Sequence, residues 1–540
     1  LLPNRTAFAK SLLTLSFAGI VLPLAAAQSG SPSAGSSAMT SPSSAPSIVR
    51  GTVLSATTGM PVSRALVRLN DRAMLTDHEG KFEFDQFPAT GSAVLEARKP
   101  GFYFSPETGI NTMTLRGEQL ADPIVVRLYP EALMTGTLTA SDGTPLPRVF
   151  VTAQRSSFNE TGHQWLPTAH SMTNSRGEFR LAVSPGDYRI ETNFSLQSGG
   201  SSKAVLPLVI PTPGSAGADG AIHMSSGAEE RFDLHPAVSP TYIVTLRLES
   251  SQEHGFPMLL ARSSDGSVLP VSVIRSGPGG GGMDDVRIAL PSGTYTLTGT
   301  SNRGETMEYG ETTVTVADRD LSGGTLRLAP VAPISIQIIT DSESTSDKTP
   351  PTAQQLGLMM QNVQDVHIGF PMFAVTSGGD RDPSIRPTPG VYRFSARNTG
   401  QWFVKSATYG TTDLLQQNMT VAAGAGSSSV IVTISNQTGS LLGTTKRNGI
   451  PGPSWISVVP TAASAVPFYN MRSNTDGSFN FSFLPPGTYQ VISFESRHSL
   501  DYRDPKALAP FSTYVRSATI TSGNKATLDL DVVPDAELNP

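Results

Sequence analysis

One short phrase recurs along this chain and fixes its organisation. It reads "SPGDYRI" from Ser184, "PSGTYTL" from Pro291, "TPGVYRF" from Thr388, "LPPGTYQV" from Leu484 and, more loosely, "PATGSAVL" from Pro88. Its glycines, Gly91, Gly186, Gly293, Gly390 and Gly487, are spaced by 95, 107, 97 and 97 residues. A period of that size is one small β domain per repeat. Within the phrase, proline fixes φ and glycine accepts positive φ, so the chain turns tightly into a strand. That strand sends Tyr188, Tyr295, Tyr392 and Tyr489 to one face. By analogy with the tyrosine corner of immunoglobulin-like sandwiches, these rings are expected to be buried, with hydroxyls bonded to nearby backbone.

A second marker keeps the same period. Alternating strands ending at a proline or a polar break occur at 123–130, 229–236, 323–330, 428–435 and 525–534, and each of the first four is followed closely by a fresh strand. The expected architecture is all-β: about five tandem Ig-like β-sandwich modules. The boundaries fall at 48–130, 131–239, 240–331, 332–437 and 438–540, with long insertions in the second module and divergent sequence in the third and fourth. In the fourth, "QQLGLMMQ" is expected as a strand, because Leu356, Leu358 and Met360 alternate. The 50 glycines and 42 prolines suit turn-rich sandwiches better than helical bundles.

The first, second and fifth modules share more detail. "GMPVSRALVRL" from Gly59, "GTPLPRVFVTA" from Gly143 and "GIPGPSWISVV" from Gly449 place Gly-x-Pro before an alternating strand. "TDHEGKFEF" from Thr76, "TNSRGEFRL" from Thr173 and "SNTDGSFNF" from Ser473 then give a polar hairpin turn with glycine at positive φ. With Gly51-x-Val53 and the Pro-x-Gly-x-Tyr phrase, these segments resemble the carboxypeptidase regulatory-like domain over 48–130, 131–195 and 438–495. The resemblance implies a small transthyretin-like β-sandwich that accompanies metallocarboxypeptidases without hydrolysing peptides. It also implies kinship with carbohydrate-binding-like folds and with large secreted or outer-membrane-associated proteins of soil bacteria such as acidobacteria. Some TonB-dependent receptors begin with such a domain. A 22-stranded barrel, however, does not fit beside five sandwiches in 540 residues.

Residues 1–27 hold Arg5 and Lys10, an apolar run from Leu12 to Leu24, and Ala25-Ala26-Ala27. This pattern predicts a secretory signal cleaved near Ala27 and a product that is secreted, periplasmic or outer-membrane-associated, with no transmembrane span. Residues 28–47 are nearly all Ser, Ala, Pro and Gly, a composition that predicts a disordered linker. Two basic side chains leave with the signal, so 37 basic face 44 acidic ones, a net charge of −7 that gives nucleic acid no foothold. The absence of cysteine removes disulfides, thiolate metal sites and a cysteine nucleophile.

Catalytic patterns do not assemble. A metallocarboxypeptidase needs His-x-x-Glu, yet the residues three beyond the eight histidines are Lys81, Leu166, Thr173, Ser226, Val238, Pro257, Phe370 and Asp501. No Gly-x-Ser-x-Gly elbow occurs. "GPGGGG", Gly277 to Gly282, formally matches a dinucleotide fingerprint, but it leads into the alternating strand "DDVRIAL" rather than a helix. Asp341, Glu343 and Asp347 lack the spacing of a calcium loop and read as a solvated turn. No cofactor, metal or catalytic residue is therefore assigned.

Aromatic side chains that stack on sugars remain. Trp455 aligns with Ala65 and Val149 and is expected in a core, and Trp402 lies in an expected strand. Trp165 sits in "FNETGHQWLPTAH", read as a long polar insertion between strands, flanked by His163 and His170. It is the candidate ligand-binding residue, with loop packing as the rival role; the two histidines as a metal pair are the weaker option. The sequence thus favours a secreted, non-catalytic protein for adhesion or binding at the bacterial cell envelope, its partner an extracellular glycan or envelope protein. The alternative is polysaccharide capture by carbohydrate binding, and behind it an accessory part of an enzyme or TonB-dependent receptor system. The oligomeric state leaves no trace in the sequence.

Overall fold

The computed structural model describes residues 47–534 apart from 88–91, 105–111, 117–122, 160–161, 198–202, 212–219, 251–256, 265, 267, 272–284, 304–305, 342–348, 364–371, 375–382, 425–427, 463–466 and 499. The expected signal and all but the last residue of the expected linker lie outside these residues. So do Gly91, the Gly277–Gly282 run, Glu343 and Asp347.

Strands dominate, as the alternating sequence requires, and they sort into five successive units with separate apolar cores, the first four each a pair of facing sheets and the fifth with its strands joined in one nine-stranded sheet. The chain is a tandem series of β-sandwiches. In the first, Ser47–Ser55 lies between Lys81–Phe87 and Ile124–Pro130, and the facing sheet is built on Leu66–Leu69 and Ser92–Arg98. Val49, Val53, Val67, Leu69, Phe82 and Leu128 meet between them, because alternate residues of each strand share a face. Every sandwich repeats one connection: a strand near its start pairs in parallel with one near its end, the third sandwich adding only the two-residue strand Ala329–Pro330 after that pair. Parallel neighbours start at the same end, so the chain enters each sandwich at one end and leaves at the other.

The recurring phrase does what its sequence predicts. Gly186, Gly293, Gly390 and Gly487 have φ of +150° to +157°, a region essentially restricted to glycine. The tyrosines two residues on are all buried. Tyr188 donates to the Ser184 carbonyl at 2.6 Å, Tyr392 to that of Thr388 at 2.8 Å and Tyr489 to that of Pro485 at 2.7 Å. Each of these three hydroxyls reaches back four residues and clamps the turn that precedes its own strand.

The shared turns of the first, second and fifth sandwiches are equally regular. Thr76 Oγ1 accepts from the Ala65 N–H at 2.9 Å, Thr173 Oγ1 from Val149 at 3.0 Å and Ser473 Oγ from Ser454 at 2.9 Å. These contacts show that Ser454, not Trp455, occupies the place of Ala65 and Val149. It stands five residues after Gly449, whereas its counterparts stand six after Gly59 and Gly143. The residue missing from the fifth sandwich matches Arg64 and Arg148, which hold left-handed φ of 53° and 60°. A one-residue slip turns a side chain to the other face. Trp455 is therefore half-exposed on the outward face and pairs with Arg472, as exposed Leu66 pairs with Leu75 and exposed Phe150 with Met172.

Three further features depart from expectation. Around Leu356 the chain makes a turn, and a strand begins only at Met359; Leu356, Leu358 and Met360 are nonetheless buried. Ser195–Leu196 and Lys203–Val205, inside the 131–239 range, extend a sheet of the third sandwich by pairing with Val238–Glu249 and place Ala204 in its core. In the fifth sandwich a helical insertion, Pro505–Leu508 and Ala509–Phe511, covers an outward sheet face, burying Phe494 and Ile492 under Tyr502, Leu508 and Phe511. Among the described residues no helix is long and apolar enough to cross a membrane.

Candidate functional site

Trp165 does not lie in a loop. Phe150–Asn159 and Gly162–Met172 form a long antiparallel ribbon at the edge of a sheet in the second sandwich, and Trp165 stands opposite Ser156. Pro167 conceals this strand in the sequence. It is tolerated because it lies on an edge strand beside a bulge, where Gln154 pairs with Pro167 after Ala153 pairs with Ala169.

The alternation of the ribbon builds one outward face. Phe158 stands opposite His163, Ser156 opposite Trp165, and Phe150 opposite Met172; on the next strand, Gly186–Thr192, Arg189 stands opposite Gln154. The His163 ring lies 4.9 Å from Phe158 and 5.0 Å from Trp165, edge-on to the indole. The Arg189 guanidinium sits 5.0 Å from the centroid of the Trp165 ring, within cation–π reach. Arg189 Nε donates to Gln154 Oε1 at 2.5 Å, and Gln154 Nε2 donates to Glu191 Oε2 at 2.5 Å. Burial lowers the Arg189 pKa, and the nearby Glu191 carboxylate opposes that shift. The indole thus roofs a polar network while part of its own surface stays open to solvent.

Other chemistry fits this face poorly. His163 and His170 are on one strand seven residues apart, about 23 Å at ~3.3 Å per residue, too far to share an ion. Among the described residues there is no group of three side chains suited to hold a metal. Ser156 Oγ and His163 Nε2 are 2.9 Å apart, a pair invisible in the sequence because the hairpin register creates it. On an open ladder, however, a developing oxyanion would meet water rather than fixed donors. Trp402 is buried in the fourth sandwich's core. Trp455, missed as a surface residue, has the Arg497 guanidinium 5.9 Å from its ring.

No family model matches this chain, and no curated protein matches it. Solved structures match at low identity. The Bacillus anthracis TIE protein is 10% identical over 52% of this chain and 50% of its own, with a TM-score of 0.16. A minor pilin of Streptococcus agalactiae is 12% identical over 36% of this chain and 96% of its own, with a TM-score of 0.20. The pilus adhesin SpaC from Lactobacillus rhamnosus GG is 13% identical over 72% and 56%, with a TM-score of 0.14. The chain thus spans half the length of the first of these. At these TM-scores the matches carry no conclusion about activity or partner.

Proposed function

We propose that this chain is a secreted, non-catalytic array of β-sandwiches serving adhesion or binding at the bacterial cell envelope, with the outward face of the second sandwich as its contact surface. The observation that carries the reading is that face: a half-open indole seated on a buried Arg–Gln pair that a half-buried Glu191 extends, with Phe150 and Met172, 45% and 53% exposed, on the same sheet. Aromatic surface beside fixed polar groups is the composition of recognition sites. The same features favour an extracellular glycan as ligand, since a partly exposed indole beside His163 combines aromatic surface with hydrogen-bonding neighbours. An envelope protein is the other partner class.

The first, second and fifth sandwiches are assigned to the carboxypeptidase regulatory-like type. Support comes from their common turn, in which Gly80, Gly177 and Gly477 have φ of +73°, +75° and +79°. A glycan array on the chain, with Trp165→Ala beside it, tests the functional reading. Binding that Trp165→Ala abolishes while the thermal transition of the second sandwich persists supports glycan capture. An array without signal, together with no retention on isolated envelope, overturns the reading.

A further inference from the structure

Tension on a folded chain enters through its first and last strands, and their relative direction decides how the fold resists. Antiparallel terminal strands leave from the same end of their ladder, so their hydrogen bonds break one at a time. Parallel terminal strands are drawn past one another along their own axes, and all the bonds of the ladder carry the load together.

All five sandwiches have the second arrangement. The parallel ladders join Gly51–Ser55 to Ile124–Leu128, Leu133–Leu138 to Glu229–Leu234, Val244–Glu249 to Leu321–Arg327, and Ile336–Thr340 to Val430–Ile434. In the fifth, Ser440–Leu442 pairs with Lys525–Thr527 and Thr445–Lys446 with Leu530–Asp531. Side chains tie the strands of four ladders: Thr137 to Asp233 at 2.7 Å, Arg327 to Glu249 at 2.9 Å, Ser335 to Ser429 at 2.7 Å and Lys446 to Asp529 at 2.7 Å. Glycine brings the terminal strands close in three. A Cβ at Gly51, Gly136 or Gly443 would meet a carbonyl oxygen of the final segment, that of Ile124, Phe232 or Leu528, at 2.4, 1.8 or 1.7 Å. Between sandwiches the chain has little slack. Only Glu131 separates the first two, and 235–237, 331–333 and 436–438 separate the others.

From these ladders we propose that the array is a load-bearing tether, each sandwich resisting tension by shear between its terminal strands. The proposal does not depend on what the array binds. The full chain suits single-molecule force measurement because it has no native cysteine, so handles attach only at introduced thiols. Handles at Ile48→Cys and Glu131→Cys load the first ladder along its strands, whereas handles at Thr52→Cys and Val125→Cys, opposite one another, pull the same strands apart. Forced unfolding follows the barrier to strand separation, so the first geometry is expected to need several-fold more force. A second comparison repeats the test on another ladder, with Glu131→Cys and His235→Cys against the registered pair Thr135→Cys and Arg231→Cys. Equal forces in the two geometries, on whichever pair keeps the wild-type thermal transition, overturn the proposal.

Discussion

Tyr489 is buried, and its hydroxyl has the Pro485 carbonyl as partner, so the interaction is structural rather than exposed for recognition. Tyr489→Phe leaves that carbonyl without its donor and is expected to destabilise the fifth sandwich by about 1–2 kcal/mol in urea denaturation. Gly443→Ala is harsher. Its Cβ would meet Leu528 O at 1.7 Å, backbone that cannot step aside, and a loss above about 3 kcal/mol is expected in the same measurement. Tyrosine also sets an alkaline limit. Burial first, then the nearby charges of Glu131 and Tyr188, pushes the Tyr103 pKa up to about 12. A folded-state pKa raised above the unfolded value gives stability that is complete below the ordinary pKa near 10 and is lost as pH rises toward 12. Absorbance of the tyrosinate should therefore lag behind free tyrosine, then rise together with loss of circular dichroism. At this scale the sequence was highly legible, because positive-φ glycine, a preceding proline and a following tyrosine are local requirements.

Strands and their neighbours were less legible, and the failures have physical causes. The ribbon bearing Trp165 reads as an insertion because Pro167 and polar side chains interrupt an apolar alternation, yet an edge strand open to solvent requires neither alternation nor every N–H. Trp455 was misplaced by a single missing residue, which gapless alignment on Gly-x-Pro hides and strand register magnifies into a change of face. The face of the second sandwich joins residues from two strands and a third beyond them, so Arg189 beneath Trp165 had no signal in the linear sequence. Long-range donation is similarly silent. Ala204 comes from the stretch assigned to the second sandwich but lies fully buried in the third core. Ala204→Asp would bury an unpaired charge there and is expected to lower the third sandwich's stability by about 3 kcal/mol or more. In calorimetry its transition should fall while that of the fourth sandwich stays in place.

The whole molecule follows from pairing direction and linker length. Parallel terminal strands put entry and exit at opposite ends of each sandwich, and linkers of one to three residues leave little chain with which to fold back. The period of about 97 residues was plain in the sequence; the direction of the terminal ladders was not, because apolar alternation is the same in parallel and antiparallel strands. That direction turns a count of domains into an end-to-end order of sandwiches, the arrangement that the proposed tether requires. Small-angle X-ray scattering of the chain in solution tests this most directly. Strands of about seven residues with their loops give roughly 35–40 Å per sandwich, so a rod-like profile with a maximum dimension of about 170–200 Å is expected. A single compact particle with a maximum dimension of about 60–70 Å, the size of 500 residues packed as one globule, would overturn it.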